Sequence, residues 1–314
     1  MQLLVTGGAG FIGSHLNERL LKDGHQVDCL DNFNDYYDPA IKRENVRIAS
    51  DYSSYRLLEK DILDYDFLKS LFQSRQYDVI VHLAARAGVR PSIQQPLLYE
   101  KVNMQGTMHL LEMCKEFGVK KFVFASSSSV YGANKKVPFS EDDSVDNPIS
   151  PYAATKKAGE LICYTYSKLY DISVNCLRFF TVYGPRQRPD MAIHKFSRLI
   201  HEKKPIPVFG SGKSRRDYTF IDDIIQGVYA AINKCDGYHI YNLGESNTVE
   251  LMYLIELIQN ALGEKAILDF QEDQPGDVPI TFADISKAKA ELNYNPQTLI
   301  EEGIEKFAAW FKQQ

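Results

Sequence analysis

Apolar residues in the first half of the chain fall into short dense runs separated by stretches of helical spacing. The run QLLVT at residues 2–6 stops at Gly7, and residues 11–21 then carry apolar positions at helical intervals. Further dense runs lie at residues 26–31, 57–62, 77–85, 121–125 and 174–180. Residues 99–117 and 151–169 hold longer helical patterns. Strands that are apolar on both faces and alternate with helices predict an α/β fold, a doubly wound parallel sheet of the Rossmann kind covered on both sides.

Beyond residue 183 the pattern changes. Proline, glycine and arginine cluster in GPRQRP at residues 184–189, after which helices and short strands mix irregularly. The expected division is a first domain over residues 1–180 and a smaller mixed α/β lobe over residues 181–314, with segments near 215–240 returning to the first. No internal repeat or low-complexity tract interrupts either part. A ligand is expected in the cleft at the carboxyl ends of the parallel strands.

Composition narrows the function classes. With 314 residues and 44% hydrophobic content the chain can bury a sizeable core. A net charge of −5, a pI near 5.9 and the lack of a long basic run point away from nucleic acid and from anionic membrane surfaces. No apolar run is long enough to span a bilayer. The five cysteines (Cys29, Cys114, Cys163, Cys176 and Cys235) are odd in number, widely spaced and form no CxxC. Neither a disulfide framework nor a metal site is expected from them. Strand signal from Gln2 onward leaves no room for a secretory leader, so the expected location is cytoplasmic.

The segment TGGAGFIG opens at Thr6, directly after the first strand and at the start of the first helix. Gly7, Gly10 and Gly13 have the spacing GxxGxxG. Gly7 permits the tight turn, Gly10 lets backbone approach a pyrophosphate, and Gly13 allows close helix packing. The helix N-terminus supplies N–H donors and the positive end of its dipole. Asp31 and Asn32 end the second strand. Asp31 can accept both ribose hydroxyls of an adenosine, and its charge would repel a 2′-phosphate, which favours NAD over NADP. Asp61 and Ile62 follow the third strand, where Asp61 either caps the adenine or caps a helix. Phe11 and Ile12 in the loop, with Leu83 and Ala84 at the end of the 77–85 strand, complete the candidate cofactor-binding set.

Chemistry gathers around residues 124–156. Tyr152 and Lys156 lie four apart at the start of a helix, with Ser150 a candidate N-cap and Pro151 suited to the first turn. That spacing puts them on one face. A nearby ammonium favours phenolate, which would make Tyr152 a usable general base. The strand before them ends in the row Ser126 to Ser129, and Ser127 is the candidate for hydrogen-bonding a reacting hydroxyl. His82, on an apolar strand, reads as a satisfied core histidine. Arg86 and Arg90, just past that strand, are either structural or serve phosphates.

The glycine loop, the serine row and YxxxK together resemble the extended short-chain dehydrogenases/reductases of the nucleotide-sugar epimerase and dehydratase group, from Leu3 to about Asp284. The resemblance implies a catalytic Ser127, Tyr152 and Lys156, NAD held through a full cycle with Lys156 on the nicotinamide ribose, a UDP-sugar substrate bound mainly by the C-terminal lobe, and a homodimer built on the 99–117 and 151–169 helices. A 4,6-dehydratase of this group carries an Asp-Glu pair where this chain has Ser129 and Val130, and its decarboxylases also carry an acid there. Their absence leaves chemistry at one carbon: oxidation, reorientation of a keto intermediate, and reduction from the other face.

Finer likeness is to UDP-glucuronate 4-epimerases. It rests on DNFNDYYDPAIKR from Asp31, AGVR from Ala87, GPRQRPDMA from Gly184 and QPGDV from Gln274. Thr181 stands where epimerases of UDP-glucose and UDP-N-acetylglucosamine usually carry Asn, and Gln274 where they tend to carry Arg. A uronate carboxylate must be paired when desolvated, and Ser128, Thr181 and Arg188 are the candidates for pairing it. Arg188 can equally brace its loop or touch a phosphate. Arg216 is the candidate diphosphate arginine. Phe209 either stacks a uracil or fills a hairpin core. Asp277 bonds ribose hydroxyls or anchors Arg216. Three other readings remain open: the same chemistry on a neutral UDP-sugar, a net oxidoreductase, and a catalytically silent nucleotide-sugar-binding protein.

Overall fold

The computed structural model describes residues 1–272 and 278–314. Seven strands form the central sheet: β1 (Gln2–Thr6), β2 (Gln26–Asp31), β3 (Tyr55–Glu59), β4 (Val79–His82), β5 (Lys121–Ser127) and β6 (Ser173–Phe179) from the first half, and Tyr238–Leu243 from the second. Six further strands complete the described set in chain order: β7 (Thr181–Tyr183), β8 (Pro205–Phe209), β9 (Arg215–Arg216) and β10 (Tyr218–Phe220) precede Tyr238–Leu243, which is therefore β11, and β12 (Val249–Glu250) and β13 (Ile267–Gln271) follow it. The sheet order is β11-β6-β5-β4-β1-β2-β3, and every pairing in it is parallel.

Period-two alternation explains why the strands are apolar throughout. Leu3 and Val5 of β1 pack with Val27, Val79, Val81 and Val123 in one core. Leu4, one residue out of phase, packs with Ile80, Phe122 and Phe124 in the other. The first core is closed by the Phe11–Lys22 and Ile221–Asn233 helices, the second by the Tyr65–Ser74, Gly106–Phe117 and Pro151–Tyr170 helices. Because β1 leads to β2 on one side and β4 lies on the other, the strand order reverses at β1. That switch point opens a crevice at the carboxyl ends of β1 and β4.

Outside the central sheet, β8 and β13 pair in parallel, and the second half also supplies the Ala192–His201, Leu251–Leu262 and Ile300–Phe311 helices. Phe209 ends β8, so it sits on a parallel pair and not on the hairpin that was one expectation for it. Residues 215–240 divide: β10 pairs with β7, and the strand that joins the central sheet begins at Tyr238.

Two expected elements differ in extent. The 77–85 run pairs only over Val79–His82, since the chain then leaves the sheet to line the crevice. The expected 99–117 helix is interrupted by a π-helical turn at Lys101–Gln105. No helix among the described residues is long and apolar enough to cross a membrane.

Candidate active site

The crevice is a cavity of about 550 Å³ that runs from the glycine turn to the start of the Pro151–Tyr170 helix. Gly7, Gly10, Phe11, Ile12, Gly13, Asp31, Asn32, Asp61, Ile62, Leu83 and Ala84 line one end. Ser127, Ser128, Tyr152, Lys156, Thr181 and Arg188 line the other. Phe209 and Arg216 lie outside this cavity. The Arg90 guanidinium sits 4.5 Å from the Phe209 ring centroid, and Arg216 donates to the Arg215 carbonyl at 2.9 Å. Gln274 and Asp277 fall outside the described residues.

At the glycine end the backbone is packed too closely for side chains. Gly7 has φ +68°, and a Cβ on it would meet the Ala84 nitrogen at 2.7 Å. A Cβ on Gly13 would meet the Gly7 carbonyl oxygen at 2.4 Å, so the helix start rests directly on the turn. No side chain caps the Phe11–Lys22 helix, which leaves its first N–H groups and its dipole directed at the cavity. That cradle fits a dinucleotide pyrophosphate.

Asp31 is buried and its carboxylate accepts from the Phe33 nitrogen at 2.9 Å and the Ala9 nitrogen at 3.3 Å. Its third partner is a cation from eleven residues along the chain. Lys42 Nζ lies 3.4 Å away, brought over by the short Pro39–Asn45 helix, so a cation accompanies Asp31. Asp61 accepts from Asn32 Nδ2 at 2.7 Å and from the Leu63 nitrogen at 2.8 Å. The residue that caps the next helix is Asp64.

At the other end, Ser150 accepts from the Ala153 nitrogen at 3.1 Å and Pro151 opens the helix. Strand alternation then separates two serines of β5. Ser126 turns into the core and donates to Glu160 at 2.6 Å. Ser127 reaches the cavity, where it caps the 3-10 turn Ser128–Tyr131 and its hydroxyl lies near the Tyr152 phenol. Behind them, Arg178 forks onto both oxygens of Glu160 at 2.9 Å, with both side chains 1% exposed. The Pro151–Tyr170 helix is thereby tied to β5 and β6.

Burial raises the Tyr152 pKa, while the nearby Ser127 hydroxyl and the Arg188 charge pull it back toward phenolate. Lys156, expected to act on Tyr152, instead donates to the Ala125 carbonyl at 2.6 Å, and burial lowers its pKa to about 8. The cation whose charge favours the phenolate is Arg188.

Arg188 itself pairs with Asp190, Nε to Oδ1 at 3.0 Å and Nη2 to Oδ2 at 2.7 Å. Burial alone would lower its pKa, but the Asp190 pairing outweighs this and the net shift is upward. Burial likewise favours neutral Asp190, and Arg188 outweighs it to hold the carboxyl below its ordinary value. Two more groups had been given no role of their own. Asn103, inside the π-helical turn, bonds both the nitrogen and the oxygen of Arg86, at 2.8 and 3.0 Å, and Thr155 at 3.0 Å. Tyr36 places its ring under Arg188 at 5.3 Å. His82 bonds Thr6 and Thr107 in the core, at 2.7 and 3.0 Å. No cluster of metal-ligating side chains occurs among the described residues.

The family model described as GDP-mannose 4,6 dehydratase matches residues 4–307. A UDP-glucuronate 4-epimerase of Thermodesulfobacterium geofontis (strain OPF15) is 45% identical over 311 residues, covering 99% of this chain and 96% of the relative. The crystal structure of UDP-glucuronic acid 4-epimerase from Bacillus cereus, in complex with UDP-glucuronic acid and NAD, superposes with a TM-score of 0.94 at 39% identity, covering 100% of this chain and 99% of that one. UDP-glucose 4-epimerase of Thermotoga maritima with UDP-glucose gives 0.92 at 31% identity, with the same coverage.

Proposed function

Because the chain belongs to the family described as GDP-mannose 4,6 dehydratase, within the extended short-chain dehydrogenases/reductases, we propose that it is an NAD-dependent 4-epimerase interconverting UDP-glucuronate and UDP-galacturonate. The observation that carries this reading is the far end of the cavity, where Ser127, Ser128, Tyr152, Thr181 and Arg188 meet. The turn Ser128–Tyr131 has no acid to drive the elimination that the family's description names.

NAD, when bound, supplies the hydride acceptor and donor at the sugar's C4. Gly7, Gly10, Gly13 and the first turn of the Phe11–Lys22 helix would hold its pyrophosphate, and Asp31 its adenosine ribose. Lys156 would hold the nicotinamide ribose. Tyr152, as phenolate, takes the proton from the C4 hydroxyl and returns it when the 4-keto sugar has turned to its opposite face. Ser127 bonds the reacting oxygen. Thr181, Ser128 and Arg188 pair the carboxylate, which removes the cost of burying it alone. Arg216, Phe209, Gln274 and Asp277 are assigned to the UDP moiety, and residues 181–314 to the substrate lobe. A homodimer through the Gly106–Phe117 and Pro151–Tyr170 helices belongs to the same reading, supported by exposed Met108, Leu161, Tyr164 and Leu169. The five unpaired cysteines support a reducing, cytoplasmic setting.

The test is proton NMR of UDP-glucuronate with the purified protein and no added reductant. UDP-galacturonate should appear while UDP-glucose stays unchanged in parallel. Conversion of UDP-glucose or UDP-N-acetylglucosamine without a uronate product would overturn the substrate assignment.

A further inference from the structure

Arg188 offers five N–H donors, and Asp190 occupies those on Nε and one on Nη2. Nη1 has no hydrogen-bond partner among the described residues. A carboxylate arriving at Arg188 therefore meets a cation that already carries a carboxylate from two residues along the same loop. The neighbouring groups keep that pair in place. Tyr36 lies under the guanidinium, and its hydroxyl reaches the Ala87 carbonyl at 2.9 Å and Asp190 Oδ2 at 3.4 Å.

Resting on the uronate reading above, we propose that Asp190 is an exchange counter-ion for Arg188, taking its charge whenever the sugar's carboxylate leaves it. Epimerisation at C4 requires the sugar to turn over, so its carboxylate must be released and re-paired in every cycle. A half-buried guanidinium stripped of its partner would oppose that release. Asp190 removes the obstacle because Arg188 is never unpaired. The cost falls on ground-state affinity, since a neutral pair attracts an anion less than a bare cation does. Tight ground-state binding would in any case lower KM without raising kcat. Asp190 is thus a positioning residue that acts through Arg188.

The experiment measures kcat and KM for UDP-glucuronate on the wild type and on Asp190→Asn, Asp190→Ser and Asp190→Glu. The KM of UDP-glucose is measured beside them, or its inhibition constant if it is not turned over. Loss of the charge should lower the uronate KM about fivefold and kcat by a similar factor, the span of one partly exposed charge pair. UDP-glucose binding should stay within about twofold, and Asp190→Glu should restore kcat. Melting temperature and retained NAD establish that each variant is folded, and Asn and Ser give the same reading if only one of them folds. An unchanged or raised uronate KM in the folded charge-loss variants would overturn the proposal, as would an equal change for UDP-glucose. A wild type that does not turn over UDP-glucuronate at all would instead overturn the function it rests on, and the exchange role with it.

Discussion

Gly13→Ala is the most incisive single change in the cofactor cradle. The added methyl carbon would lie 2.4 Å from the Gly7 oxygen and 2.6 Å from Gly8 Cα, where ordinary contact begins at 3.4 Å. Both obstacles are backbone, so no rotamer change relieves them. The Phe11–Lys22 helix must retreat from the turn by about 1 Å, or the turn must open. Overpacking of this kind costs about 1–3 kcal/mol of stability. The larger effect falls on NAD. A shift of that size stretches N–H contacts to phosphate past useful length, and a hydrogen bond to a charged group contributes about 1.5–3 kcal/mol. Loss of one such bond should weaken NAD binding roughly ten- to a hundredfold. The assay is NAD released on denaturation of the purified protein, followed by titration back by calorimetry. Gly24→Ala is the contrast: Gly24 has φ +77° with open space around it, so the change strains the backbone by about 1 kcal/mol and leaves NAD affinity alone. Equal NAD content in Gly13→Ala and Gly24→Ala would refute the argument that Gly13 serves the ligand through packing.

Other expectations concern the far end of the site and the buried charges. Tyr152→Phe should cut turnover by about 10²–10⁴ with NAD content unchanged, and loss of NAD with activity would mean a structural role. Glu160→Gln leaves Arg178 without its counter-charge at a site where both side chains are 1% exposed. It should cost about 3–5 kcal/mol and lower the melting temperature by at least about 5 °C; a shift within a degree would show the pair to be dispensable. Glu245 has its pKa raised to about 8 by burial and by the neighbouring charges of Asp223 and Asp217. Between the ordinary carboxylate value and about pH 8 the folded chain holds a proton that the unfolded chain has released, so stability falls as pH rises through that window. Glu245→Gln should flatten this dependence in thermal melts from pH 5 to 8, and an unaltered slope would remove Glu245 as its cause.

Much of the fold was legible because it follows from local rules. A double-sided apolar strand, a glycine turn and a capped helix each carry a signature within a few residues, and β1, β2 and the Pro151–Tyr170 helix lie within a residue of where those signatures put them. The site's wider circle was less visible because its partners are distant in sequence. Nothing near Asp31 marks Lys42 as its companion, since the pairing depends on how a short helix folds back. The π-helical turn that carries Asn103 has no periodicity of its own, as one extra residue in a turn leaves the surrounding apolar spacing nearly intact. Tyr238–Leu243 is neither a continuous apolar run nor a strict alternation and sits deep in the irregular half, so its place beside β6 is settled by tertiary pairing. Arg188 was visible as a cation, but its pairing with Asp190 depends on the loop's path.

The place of β11 also bears on biosynthesis. When the first 180 residues have left the ribosome, β6 is the outermost strand on its side of the sheet, and its buried Val174, Cys176 and Leu177 belong to an unpaired edge. Such an edge invites pairing with another chain. It stays open until residue 243 has been made and has escaped the exit tunnel, several seconds later at ordinary elongation rates of about 5–20 residues per second. The nascent protein is therefore most exposed to misassembly while residues 181–243 are being translated, and a chain cut after residue 180 would keep that hazard permanently.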